Sequence, residues 1–213
     1  MLLAEDLVLL ALAPDGSLVR GSTYQPAVAV GVTGALITEL AQDGHVDLAD
    51  GRIRLTGSRP THPLLAQALD NLAPHEGRKL KSRLASVKHA GWNEVVDAMI
   101  EGGVIGREKE LLRPTLHPLA DPVAHDALLR RVQAAATGDS PLDPRTAALL
   151  ALAGPSQMLE VVAPERSDRR KAKRRIAEAA EQVPAAAAVK YVIDAVAATA
   201  AVVAATTGAA ASG

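Results

Sequence analysis

The chain contains no phenylalanine, and its only aromatic residues are Tyr24, Trp92 and Tyr191. At 213 residues it is long enough to bury a substantial core, so that core must be built from Leu, Val, Ile and Ala. Small aliphatic side chains allow helix axes to approach closely, and alanine is the strongest helix former. The composition therefore predicts a mainly α fold: a compact helical domain over residues 1–213, with short β-hairpins where the helical pattern breaks.

Other features narrow the function. The absence of cysteine removes disulfides, thiolate nucleophiles and thiolate metal sites together. The net charge of −1 provides no general field for polyanions, so no nucleic-acid partner is expected and any anion binding must be local. The first residues lack the basic region of a signal peptide. The apolar C-terminal stretch is interrupted by Pro184, Lys190 and Asp194. Its clean part, 195–205, is shorter than the ~20 residues a membrane-spanning helix needs, and reads as a buried helix.

Local signals place the elements. Leu2–Leu12 is an apolar helix stopped at Pro14-Asp15-Gly16, and a second helix opens at Pro26 and runs to Gly44. Gly31 and Gly34 inside it cost stability unless a neighbouring helix makes close contact there. His45–Leu55 alternates around Asp50-Gly51, a hairpin signature. Asp121-Pro122 and Asp143-Pro144 open two further helices. Ser167 is read as the cap of a basic helix to about Gln182, and Pro184 as the start of the last one.

The pattern suggests a duplicated helix–hairpin–helix unit, with halves at about 26–75 and 92–136. Arg59-Pro-Thr-His-Pro-Leu64 is echoed by Arg113-Pro-Thr-Leu-His-Pro-Leu119, so His62 and His117 would each precede a proline that starts a helix. The second hairpin is expected over Val104–Thr115.

No phosphate loop, nucleophile elbow or His-Glu-x-x-His motif is present. The six histidines lack metal-ligand spacing, and the carboxylates are read as solvated helix faces. Neither catalytic residues, nor a metal, nor a cofactor is expected. Two basic clusters stand out. Arg78, Lys79, Lys81, Arg83, Lys88 and His89 are assigned to a helix ending near Trp92. Arg166, Arg169, Arg170, Lys171, Lys173, Arg174 and Arg175 are opposed locally only by Asp168. Each such cation is worth ~1 kcal/mol near an anionic leaflet.

Leu2-Leu-Ala-Glu-Asp-Leu-Val-Leu-Leu-Ala-Leu12 and Gly31-Val-Thr-Gly-Ala-Leu-Ile-Thr-Glu-Leu40 resemble the opening of the Golgi phosphoprotein 3 family. Glu101-Gly-Gly-Val104, Leu116-His-Pro-Leu119 and Leu149-Leu-Ala-Leu152 follow in the family's order, and abundant alanine with Arg ahead of Lys suggests a bacterial-type member. The resemblance implies a cytoplasmic, peripherally membrane-associated protein that binds an anionic, phosphoinositide-like phospholipid. The family recognises phosphatidylinositol 4-phosphate and acts as an adaptor for client membrane proteins. Its headgroup pocket falls here on Tyr24, Thr33, Lys88, His89 and Trp92, with Tyr24 in place of a Trp and Thr33 in place of an Arg. Leu111 and Leu112 fall on the hairpin used for membrane contact or homo-oligomer formation. Arg169, Arg170, Lys171 and Arg174 would add a basic surface. Two readings compete: a protein-binding scaffold with a vestigial lipid pocket, and a tandem winged-helix nucleic-acid binder whose recognition helix would be Pro26–Ala41.

Overall fold

The computed structural model describes residues 1–19, 25–48, 50–84, 90–109, 115–182, 192 and 194–198. It is mainly helical: α1 (Leu3–Leu10), α2 (Gln25–Gln42), α3 (Pro63–Leu72), α4 (Leu80–Leu84), α5 (Ala90–Glu101), α6 (Pro122–Thr137), α7 (Pro144–Ala153), α8 (Leu159–Val162) and α9 (Arg169–Gln182). The strands β1 (Val46–Asp47) and β2 (Arg54–Leu55) form an antiparallel pair.

Helices α1, α2 and α7 touch one another at the centre. Every residue of α2 from Ala27 to Leu40 is buried, as expected of a helix that is apolar all round. Its two inner glycines are notches. A Cβ on Gly31 would lie 2.0 Å from Ser156 Oγ, and one on Gly34 would lie 2.5 Å from Val196 Cγ2. The close contact inferred from those glycines is present, and its partners are the end of α7 and the C-terminal helical segment. A helix enclosed in this way cannot lie in a DNA major groove, which removes the structural basis of the winged-helix reading.

The caps follow the sequence. Asp121 Oδ1 accepts the Ala124 amide and Asp143 Oδ1 the Thr146 amide, both at 2.9 Å. Gly51 takes the positive φ that the hairpin turn requires, +73°. Helix α9 begins at Arg169, so Asp168, not Ser167, stands at its head. Pro184 and most of the last helix lie outside the described residues, but Val196 is buried as that helix predicts, and Val192 is buried with it.

The two helix–hairpin units close alike. His45 N donates to Leu40 O, and Val104 N to Met99 O, each at 2.8 Å. Gly44 and Gly103 follow their helices at positive φ, and both Gly44/Gly103 and Pro63/Pro122 stand 59 residues apart. The echoed His-Pro-Leu segments, however, are not equivalent, and Arg113 and Pro114 of the second Arg-Pro-Thr lie outside the described residues. Pro63 opens α3, whereas Leu116–Leu119 is the returning arm of the second hairpin, bridging Leu116 to Glu108 and Leu119 to Ile105. That arm is held extended from outside, because the His117 amide donates to Gly16 O at 2.8 Å. The hairpin is therefore longer than Val104–Thr115.

Candidate functional site

The first basic cluster does not form one helix ending at Trp92. The segment leading into α4 is tied to the first hairpin by an isolated antiparallel bridge between Arg52 and Lys79: Ile53 N donates to Arg78 O, Gly77 N to Ile53 O, and Leu80 N to Gly51 O. Backbone pairing wins over helix propensity there, and α4 follows as a short helix. Trp92 lies instead in the first turn of α5, half-buried against the core.

This arrangement presents Arg78, Lys79 and Lys81 to solvent. Among the described residues none of the three has an acidic partner. Helix α4 is two-sided: Leu80 and Leu84, four residues apart, are buried, whereas Lys81 is exposed. The buried side faces a cleft of about 430 Å³, counted with its open mouth, walled also by α2, α3 and α5.

Thr33 is the candidate headgroup residue that belongs to this cleft. It is buried, its hydroxyl donates to Ala29 O at 3.1 Å, and Gly91 is pressed against it so closely that a Cβ would sit 2.5 Å from Thr33 Oγ1. The structure thus brings Thr33 to the residue next to Trp92. Tyr24, Lys88 and His89 lie outside the described residues, as do Leu111 and Leu112.

The second cluster is largely consumed by internal contacts. Arg169 pairs with Glu160 at 2.7 Å, Lys171 with Asp139 at 2.9 Å and Arg174 with Glu178 at 3.3 Å. Arg175 is buried and donates to Ser140 O at 2.6 Å and Ala135 O at 3.3 Å. These acids and carbonyls come mostly from other segments, so local opposition by Asp168 alone was too narrow a view. Arg166, Arg170 and Lys173 remain exposed without an acidic partner among the described residues.

Sequence reasoning missed a buried polar tie. Asp6 and Glu39, expected on solvated faces, are 1% and 9% exposed. Arg145 Nε and Nη2 donate to Asp6 Oδ2 at 3.0 and 2.7 Å, and its Nη1 lies 3.7 Å from Glu39 Oε1. Burial raises the Asp6 carboxyl against the opposing pull of Arg145, and burial carries the Glu39 carboxyl to about 7. The signal in the sequence was an acid in the middle of each of two apolar runs.

His125 is a second buried tie. Its Nε2 lies 3.1 Å from both Leu9 O and Leu12 O, so it carries the proton that fastens α6 to the end of α1. Among the described residues, no group of His, Asp or Glu could hold a metal ion, and no helix is long and apolar enough to cross a membrane.

A family model for Golgi phosphoprotein 3 (GPP34) matches residues 3–196. Among curated proteins none matches the sequence. The family match runs from the first residue of α1 to Val196, the side chain that fills the Gly34 notch, and the chain therefore belongs to the Golgi phosphoprotein 3 family.

Proposed function

We propose that the protein is a peripheral membrane adaptor that binds anionic lipid headgroups, phosphoinositides in particular, through the surface around α4 and the start of α5. The supporting observation is the set of exposed cations Arg78, Lys79 and Lys81, unpaired among the described residues, beside an apolar cleft. Each cation near an anionic leaflet contributes ~1 kcal/mol. On α9, by contrast, most cations are spent on internal partners.

In this reading the whole chain, 1–213, acts as one cytoplasmic unit. Tyr24, Thr33, Lys88, His89 and Trp92 border the headgroup, Leu111 and Leu112 serve membrane contact or self-association, and client membrane proteins dock elsewhere. Family membership supports the adaptor role.

Flotation with liposomes of phosphatidylinositol 4-phosphate, phosphatidylserine or phosphatidylcholine, at low and high salt, tests the proposal. Binding to acidic vesicles should fall with salt as exposed charges are screened, and neutral vesicles should not bind. Equal binding to neutral vesicles, or none to any, overturns it. Unchanged binding by Tyr24→Ala and Lys88→Ala variants would exclude the headgroup pocket while leaving membrane binding intact.

A further inference from the structure

We infer that an open pocket between the second half of α6 and the start of α7 binds the ammonium and carboxylate groups of a small aliphatic α-amino acid. The inference is independent of the anionic-lipid reading and uses residues that reading leaves idle.

Size and lining select the ligand. The pocket holds about 200 Å³, below the ~300–1,000 Å³ of drug-sized ligand sites, so its occupant is small. Arg131 of α6 and Asp143 at the head of α7 both line it, and Ala134, Ala135, Pro141 and Leu142 supply an apolar wall. A cation, an anion and a short apolar surface match a carboxylate, an ammonium and an aliphatic side chain.

Neither charge is spent on the other. Arg131 Nη2 stands 4.0 Å from Asp6 Oδ2, which already takes two donors from Arg145. The Arg131 guanidinium makes no hydrogen bond among the described residues. The Thr146 side chain and amide hold the Asp143 carboxyl below its ordinary range, and Arg131 adds a weaker pull. Asp143 is thus ionised at neutral pH within the field of Arg131, yet among the described residues no ion pair joins the two. A simple anion would leave Asp143 unanswered, and an alkyl ammonium would leave Arg131 so. A ligand with both charges answers each.

The walls are fixed in advance. Arg175, buried, donates to Ala135 O at 3.3 Å and to Ser140 O at 2.6 Å, joining α6 to the connection that leads into α7. Lys171 ties Asp139 of the same connection at 2.9 Å. An opening braced in this way loses little conformational freedom when a ligand enters.

The test titrates the isotope-labelled full chain with leucine, N-acetylleucine, leucinamide and glycerophosphoserine, following the amide shifts of Ala134, Ala135 and Leu142. Leucine should bind saturably with a dissociation constant on the order of 1 mM, because exposed charge pairs are individually weak. N-acetylleucine lacks the ammonium and leucinamide the carboxylate, and each should bind about five-fold more weakly. Glycerophosphoserine carries both groups on a charged ester and should also bind more weakly than leucine. Tighter binding would assign the pocket to a lipid headgroup and overturn the inference. Asp143→Asn keeps a competent helix cap and should erase the preference for leucine over N-acetylleucine. Arg131→Gln should erase the preference over leucinamide. No saturable shift with leucine, analogues that bind as well as leucine, or preferences that persist in the two variants each overturn it. The wild-type panel decides even if a variant fails to fold.

Discussion

Glu39, on α2, accepts the Leu3 amide on its Oε1 at 2.9 Å, so the start of α1 is capped by a carboxylate from another helix. Its second oxygen meets no donor among the described residues. The acid is held between a charge-stabilising amide and an apolar surround that disfavours charge, and burial prevails.

The pH dependence of stability follows. With its pKa carried from 4.5 to about 7 in the fold, Glu39 binds a proton more tightly folded than unfolded. Its contribution is complete below about pH 4.5 and is lost as pH rises through 7, by up to ~3 kcal/mol. Urea unfolding at several values between pH 5 and pH 8 should show this decline. Glu39→Gln should flatten it, leaving a smaller slope from Asp6, which is shifted in the same direction. An equally steep slope in the variant excludes Glu39 as its source.

Removing Arg145 leaves Asp6 buried without its main cation. Arg145→Met should cost about 3 kcal/mol, because an uncompensated buried charge is more expensive than no charge at all. Adding Asp6→Asn should recover a large part of that loss in chemical denaturation. Additive losses would show that the pair is not coupled.

The Gly34 notch predicts a compensating pair. Gly34→Ala drives a methyl into Val196 Cγ2, 2.5 Å away, and should cost ~1–3 kcal/mol as overpacking. In a Val196→Ala background the same substitution should cost far less, giving a clear coupling energy in a double-mutant cycle.

Two turn glycines should respond unequally. A Cβ on Gly16, at φ +78°, would stand 2.5 Å from the His117 carbonyl carbon, whereas one on Gly44, at φ +74°, meets nothing within 4 Å. Gly44→Ala should cost only the backbone strain, about 1 kcal/mol. Gly16→Ala should cost more and loosen the second hairpin, visible as faster amide exchange at His117.

Charge neutralisation should separate the two basic clusters. Lys79→Gln with Lys81→Gln should weaken acidic-liposome binding by roughly ten-fold or more, from ~1 kcal/mol per cation. Arg169→Gln with Lys171→Gln should change it little, because Glu160 and Asp139 already hold those side chains. A larger loss from the α9 pair would place the membrane-facing side there.

Local chemistry made much of the fold legible. Asp121-Pro122, Asp143-Pro144 and Asp50-Gly51 each act through atoms a few residues away, and each element opens or turns where they stand. What stayed hidden depended on distant partners. Asp6 resembles a solvated acid until Arg145, 139 residues later, is brought to it. Residues 77–80 show helical composition until residues 51–53 offer them backbone partners. The candidate site is split likewise: the cations of residues 78–81 were visible, but their freedom from ion pairs among the described residues, and the pairing of Arg169, Lys171, Arg174 and Arg175 on α9, could only be seen in three dimensions.

The enclosure of α2 constrains how a cell can make this protein. Notches cut near residues 31 and 34 wait for plugs at 156 and 196. Until residues 156 and 196 have been made, a nascent chain therefore carries an unfinished central helix whose grooves stand open to water. Stalled or shortened products should expose that helix to chaperones and proteases, so quality control would inspect completion and folding at the same place.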